Sequence, residues 1–118
     1  MARKPAGRPS KYTNAVAKEI CERLAQGEPL ASICRDERMP AVRTVGDWRE
    51  RMPDFSASIA RARDEGFDAL AAQCLDIADD KSGDVRLVGD GDQEVCNTEF
   101  VQRAKLRIET RLKLLAKW

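Results

Sequence analysis

The chain contains no histidine, and none of its four cysteines falls in a C-x-x-C pair. A zinc site draws on closely spaced thiolate and imidazole ligands, so no metal is expected. There is no glycine-rich phosphate loop ending in lysine, and no nucleophilic side chain beside an evident base. These absences argue against an enzyme and against a cofactor. No apolar run approaches the ~20 residues that a membrane span requires. The opening residues Met1 to Pro5 are basic but lead into no hydrophobic stretch, so no signal peptide and no membrane partner are expected. Cys21, Cys34 and Cys74 fall on or beside apolar helix faces, where a free thiol acts as a small hydrophobe in a reducing cytosol.

What is present is helical patterning and segregated charge. The 118 residues are 42% apolar and 35% charged, with a net charge of only +1. That average conceals three blocks. Residues 1–51 hold 11 basic and 7 acidic side chains, residues 52–96 hold 4 and 11, and residues 97–118 hold 6 and 2. Only the two ends therefore suit a polyanion.

Residues 13–52 read as a helix-turn-helix head. Thr13 opens a helix with Val16, Ile20 and Leu24 at spacing i, i+4, i+8, and Gly27 ends it. Pro29 suits the first turn of a second helix, with Leu30, Ile33 and Cys34 on its buried side. The Met39-Pro40 step breaks that helix. A third helix follows, with Val45, Trp48 and Met52 inward. Three short helices over one small core match the motif that enters a DNA major groove.

The third helix is the candidate reader. Arg43, Thr44, Asp47 and Arg51 lie opposite its core stripe. Arginine forks onto guanine or holds phosphate, threonine touches base edges, and Asp47 accepts from cytosine or pairs with a neighbouring arginine. Residues 1–12 precede the head as a flexible basic arm. Arg3, Lys4, Arg8 and Lys11 alternate with Pro5, Gly7 and Pro9, a composition suited to laying an arginine into a minor groove.

Residues 53–118 read as a long helical hairpin for oligomerisation. Pro53 and Asp54 start a helix over 55–78. One stripe holds Ile59, Ala62, Leu70, Cys74 and Ile77; a second holds Ala60, Phe67, Ala71, Leu75 and Ala78. Two apolar faces require two neighbours. Residues 79–96 are acidic and glycine-rich and read as a loop, with short strands at 85–88 and near Glu94. The spacing of Asp79, Asp80, Asp84, Asp90, Asp92 and Glu94 matches no calcium loop. Asn97 or Thr98 caps a last helix with the stripe Val101, Ala104, Ile108, Leu112 and Leu115, and basic residues, Arg111 among them, on the outside. The fold class is all-α, with a short β-hairpin in the connecting loop. The expected subunit interface uses Ile59, Phe67, Leu70, Ala71, Leu75, Ile108, Leu112 and Leu115.

The order of arm, head and hairpin resembles the small subunit of the phage DNA-packaging terminase. The resemblance is carried by Gly7-Arg8-Pro9-Ser10-Lys11-Tyr12, by Ile33-Cys34-Arg35-Asp36-Glu37 with Met39-Pro40, by Thr44-Val45 and Trp48, and by the run from Val101-Gln102-Arg103 to Trp118. It covers nearly the whole chain. It implies a non-catalytic ring in the host cytoplasm that binds double-stranded viral DNA at the packaging-start site and regulates the large subunit, which hydrolyses ATP and cuts DNA. Members of that family usually continue into a tail that meets the large subunit, and with this sequence ending at Trp118 that contact is left open. The competing reading is a helix-turn-helix transcriptional regulator, acting as a two-fold dimer on a palindromic site.

Overall fold

The structure, a computed structural model, describes residues 11–89 and 93–118. Arg3, Lys4, Arg8, Asp90 and Asp92 lie outside the described residues. Helix α1 is Asn14–Ala25, and Thr13 caps it, its hydroxyl oxygen accepting from the Val16 N–H at 3.2 Å. Gly27 follows the helix with φ 94°, a conformation that costs residues with a Cβ. There the Glu28 N–H donates to the Arg23 carbonyl at 3.1 Å and satisfies one end of the helix. Helix α2, Leu30–Ile33, is a single turn, and Pro29 stands at its N-cap, one position before the expected place. Met39 and Pro40 are buried in the turn that leads to helix α3, Val42–Arg51.

Two compact units divide the chain, one ending at Ala69 and the other covering Leu70–Trp118. The division therefore falls inside helix α4, Pro53–Asp79, and not at the expected 52/53 step. The reason lies in the core of the first unit. Ile20, Leu24, Ile33, Val45 and Trp48 are buried as expected, and Phe55, Ile59 and Ala62 from α4 are buried with them. Tyr12, Trp48 and Phe55 meet edge to face, with centroids 5.2, 5.7 and 6.1 Å apart. Each such pair adds about 0.5–1.5 kcal/mol beyond the area it buries. Three short helices bury too little surface by themselves, and the start of α4 completes the head.

In the second unit, strands β1 (Val85–Val88) and β2 (Gln93–Cys96) pair antiparallel, with Val85 opposite Cys96 and Val88 opposite Gln93. Helix α5, Thr98–Lys117, is capped by Asn97, whose side-chain oxygen accepts from the Phe100 N–H at 3.3 Å. It returns antiparallel to α4: Arg111 meets Gln73, while Ala104 and Ile108 lie near Ile77. The inner stripe of α5 differs from expectation. Phe100, Ala104, Ile108, Arg111, Leu114, Leu115 and Trp118 are half-buried, whereas Val101 and Leu112 are exposed. Periodicity alone could not choose between two neighbouring, overlapping stripes. In the folded chain Phe100, Leu114 and Trp118 turn inward together with Arg111, which donates to Gln73 on α4.

Candidate DNA-binding face and an uncovered helix face

A charge cluster joins α1 to the turns on either side of α2. Arg23, on the last turn of α1, reaches Glu28 at 2.6 Å, Asp36 at 3.1 Å and Glu19 at 3.4 Å. Arg38, in the turn between α2 and α3, reaches Asp36 at 2.8 Å and Glu19 at 3.3 Å. Asp36 also accepts from the Arg38 N–H at 2.9 Å. These hydrogen bonds from Arg38, joined by the Arg23 guanidinium, hold the Asp36 carboxyl well below the usual carboxylate range. The Arg23 side chain likewise lowers Glu28, and Glu28 in turn raises Arg23. The cluster clips α1 to the α2–α3 turn and so fixes how α3 is presented.

On α3 itself, Val45 is fully buried and Trp48 is 2% exposed. Arg43, Asp47 and Arg51 are exposed, and Thr44 is half-buried at the edge of the inner face. Among the described residues no ion pair joins Asp47 to Arg43 or Arg51; the Arg51 Nε instead lies 3.5 Å from the Asp47 carbonyl oxygen. Lys11 of the arm is exposed. Two residues of this helix escaped the sequence reading. Val42 is 48% exposed, and a Cβ at Gly46 would meet no other part of the described residues within 4 Å beyond the adjoining helix backbone. Val42 was overlooked because an apolar residue three positions before Val45 looks like core.

A second surface runs along α4. Ala60, Phe67, Ala71, Leu75 and Ala78 are all exposed, Phe67 at 45% and Leu75 at 66%. This is the second stripe expected from the sequence, and the described residues leave it uncovered. Two residues assigned to the subunit interface are corrected. Ile59 is fully buried in the head and Leu70 is 3% exposed in the second unit, so both already serve the chain's own cores. On α5, Leu112 is 53% exposed, while Ile108 and Leu115 are half-buried. Asp64, Asp68 and Asp76 on α4 and Arg103, Arg107, Lys113 and Lys117 on α5 are exposed. No helix among the described residues is long and apolar enough to cross a membrane.

Comparison with known proteins agrees with this architecture. The model of the family described as "Bacteriophage Sf6, terminase small subunit-like" matches residues 12–118. Three similar solved structures are single-substitution variants of the terminase small subunit gp1 of the bacterial virus Sf6. Each is 31% identical and covers 92% of this chain and 74% of its own, with TM-scores of 0.63, 0.62 and 0.63. No curated protein matches. With a family match over nearly its full length and the same fold in these structures, the chain belongs to the Sf6-like terminase small subunit family.

Proposed function

We propose that this packaging subunit is the non-catalytic DNA-recognition component of its terminase. It binds the packaging-initiation site on double-stranded viral DNA as a ring, acts in the host cytoplasm and regulates the large ATPase and nuclease subunit. The observation that carries the reading is α3, the third helix of the head, which presents Arg43, Asp47 and Arg51 outward while Val45 and Trp48 anchor it. In the sequence, the head is preceded by the basic residues Arg3, Lys4, Arg8 and Lys11. Replacing Arg43 and Arg51 with alanine should weaken DNA binding, and deleting residues 1–11 should flatten its salt dependence, since each phosphate contact adds to the salt slope. Unchanged affinity in both variants would overturn DNA recognition by this head.

Ring assembly is supported by the uncovered α4 stripe. A two-fold contact through that face would set Asp64, Asp68 and Asp76 near their own copies. A head-to-tail contact brings acidic α4 against the basic α5 of a neighbour, and head-to-tail contacts that close make rings. Phe67→Asp or Leu75→Asp should yield smaller species with folded heads, read by native mass spectrometry. A simple dimer of the unmodified chain over a wide concentration range would favour the transcriptional regulator instead.

A further inference from the structure

The outer side of α3 carries two features that packing among the described residues does not account for. Val42, the first residue of the helix, is 48% exposed, although the branched apolar residues Ile20, Ile33, Val45 and Ile59 of the same unit are fully buried. One turn later stands Gly46, and an added Cβ there would meet nothing within 4 Å among the described residues beyond the adjoining helix backbone. Glycine weakens a helix interior relative to alanine, and no neighbour among the described residues demands it. Positions i and i+4 share a helix face, so exposed Val42 and half-buried Gly46, which has no side chain, lie side by side along α3 and make a small apolar strip. The exposed residues Arg43 and Arg49 border it, and Glu50 lies a turn beyond Gly46. An apolar strip between two arginines suits a polyanion with a local apolar group.

We propose that Val42 and Gly46 are specificity-determining residues that receive the C5-methyl group of a thymine in the major groove. The inference rests on the DNA-binding reading and deepens it. The first residues of a recognition helix are those that reach base edges. Neither Val42 nor Gly46 offers a side-chain hydrogen bond, so the pair can read only shape and apolar contact. Thymine is the base that presents a methyl group in that groove. The missing Cβ at Gly46 lets the helix backbone approach the base edge closely, while Val42 closes over the methyl. Arg43 and Arg49 are placed to hold the flanking phosphates.

The test begins with duplexes enriched by the full-length chain from a randomised pool. They are then resynthesised with uracil for thymine, one position at a time, which removes the methyl and keeps every hydrogen bond. At one position the unmodified chain should lose affinity by roughly 4-fold, the effect of one buried methyl-sized group. Val42→Ser should bind the thymine duplex correspondingly less well and should no longer distinguish uracil from thymine there. Gly46→Ala should raise the melting temperature of the free protein, by helix propensity, and yet weaken DNA binding. A merely structural role could not move these two readouts in opposite directions. Tight binding that is indifferent to uracil at every position would overturn the inference and leave DNA binding standing. An equal uracil penalty in Val42→Ser, or a Gly46→Ala variant that binds as tightly as the parent, would also overturn it. Failure to enrich any duplex would overturn the DNA-binding reading along with it.

Discussion

The Nε of Arg111 donates to the side-chain oxygen of Gln73 at 2.9 Å and ties the last helix to the second half of the long one. The same guanidinium reaches the Arg107 carbonyl at 3.2 Å, so Arg111 is held from both sides. Arg107, one turn away, is exposed. Arg111→Ala should therefore destabilise the second unit by about 1 kcal/mol, and Arg107→Ala by less than about 0.5 kcal/mol. Chemical denaturation of the two variants side by side measures the difference. Equal effects would mean that the Gln73 contact contributes nothing.

Gly83 is required by a ring. A Cβ at that position would run into the face of Phe100, and Phe100 is fixed at the start of α5 by the Asn97 cap. Gly83→Ala should cost about 1–3 kcal/mol, the usual range for overpacking. The same substitution in a Phe100→Ala background should cost little, because the obstacle is gone. That coupling, measured as a double-mutant cycle, separates the ring contact from a general effect on the turn.

Trp48 is 2% exposed, and its indole meets Tyr12 and Phe55 edge to face. Trp48→Ala should lower the stability of the head by about 3–5 kcal/mol. Because Phe55 belongs to α4, the loss should appear in a melting transition that includes the first turns of that helix. Hydrogen exchange over residues 53–62 should rise together with exchange over α1 and α3. Exchange that rises in α3 alone would place the start of α4 outside the head.

The Arg23 and Arg38 cluster sets an acid limit on the head. Asp36 and Glu28 titrate below their ordinary range in the folded chain, because Arg38 and Arg23 hold their charged forms. A depressed folded value means that the unfolded state binds protons first. The stabilisation is therefore complete above the unfolded carboxylate values and is lost as pH falls through the folded ones. Head stability should be level from pH 7 to about 5 and should decline below roughly pH 4. Asp36→Asn should be less stable than the parent at neutral pH, and the two curves should converge in acid. Denaturant midpoints recorded across that range check both statements.

Much of this protein could be read from local chemistry. Thr13 at the start of α1, Gly27 after its end, Pro53 at the start of α4 and Asn97 before α5 announce helix boundaries through their own backbone preferences. The Val45 and Trp48 stripe fixes the inner side of α3, and the strand at 85–88 shows in its branched residues. Each of these signals acts within a few residues, so the sequence carries it whole. The exposed position of Arg43, Asp47 and Arg51 follows from the same arithmetic.

Other features depend on what packs against what. Whether Ile59 served the head or a neighbouring subunit could be decided only by the space that three short helices leave open, which Phe55 and Ile59 fill. Which stripe of α5 turns inward depends on long-range packing, of which the Arg111–Gln73 hydrogen bond, 38 residues apart in sequence, is one part. The 48% exposure of Val42 likewise depends on which neighbours pack over the start of α3. Short-range periodicity tells which residues share a face, because the helix pitch is fixed. Which face is covered depends on contacts between distant segments, and those exist only once the chain has folded.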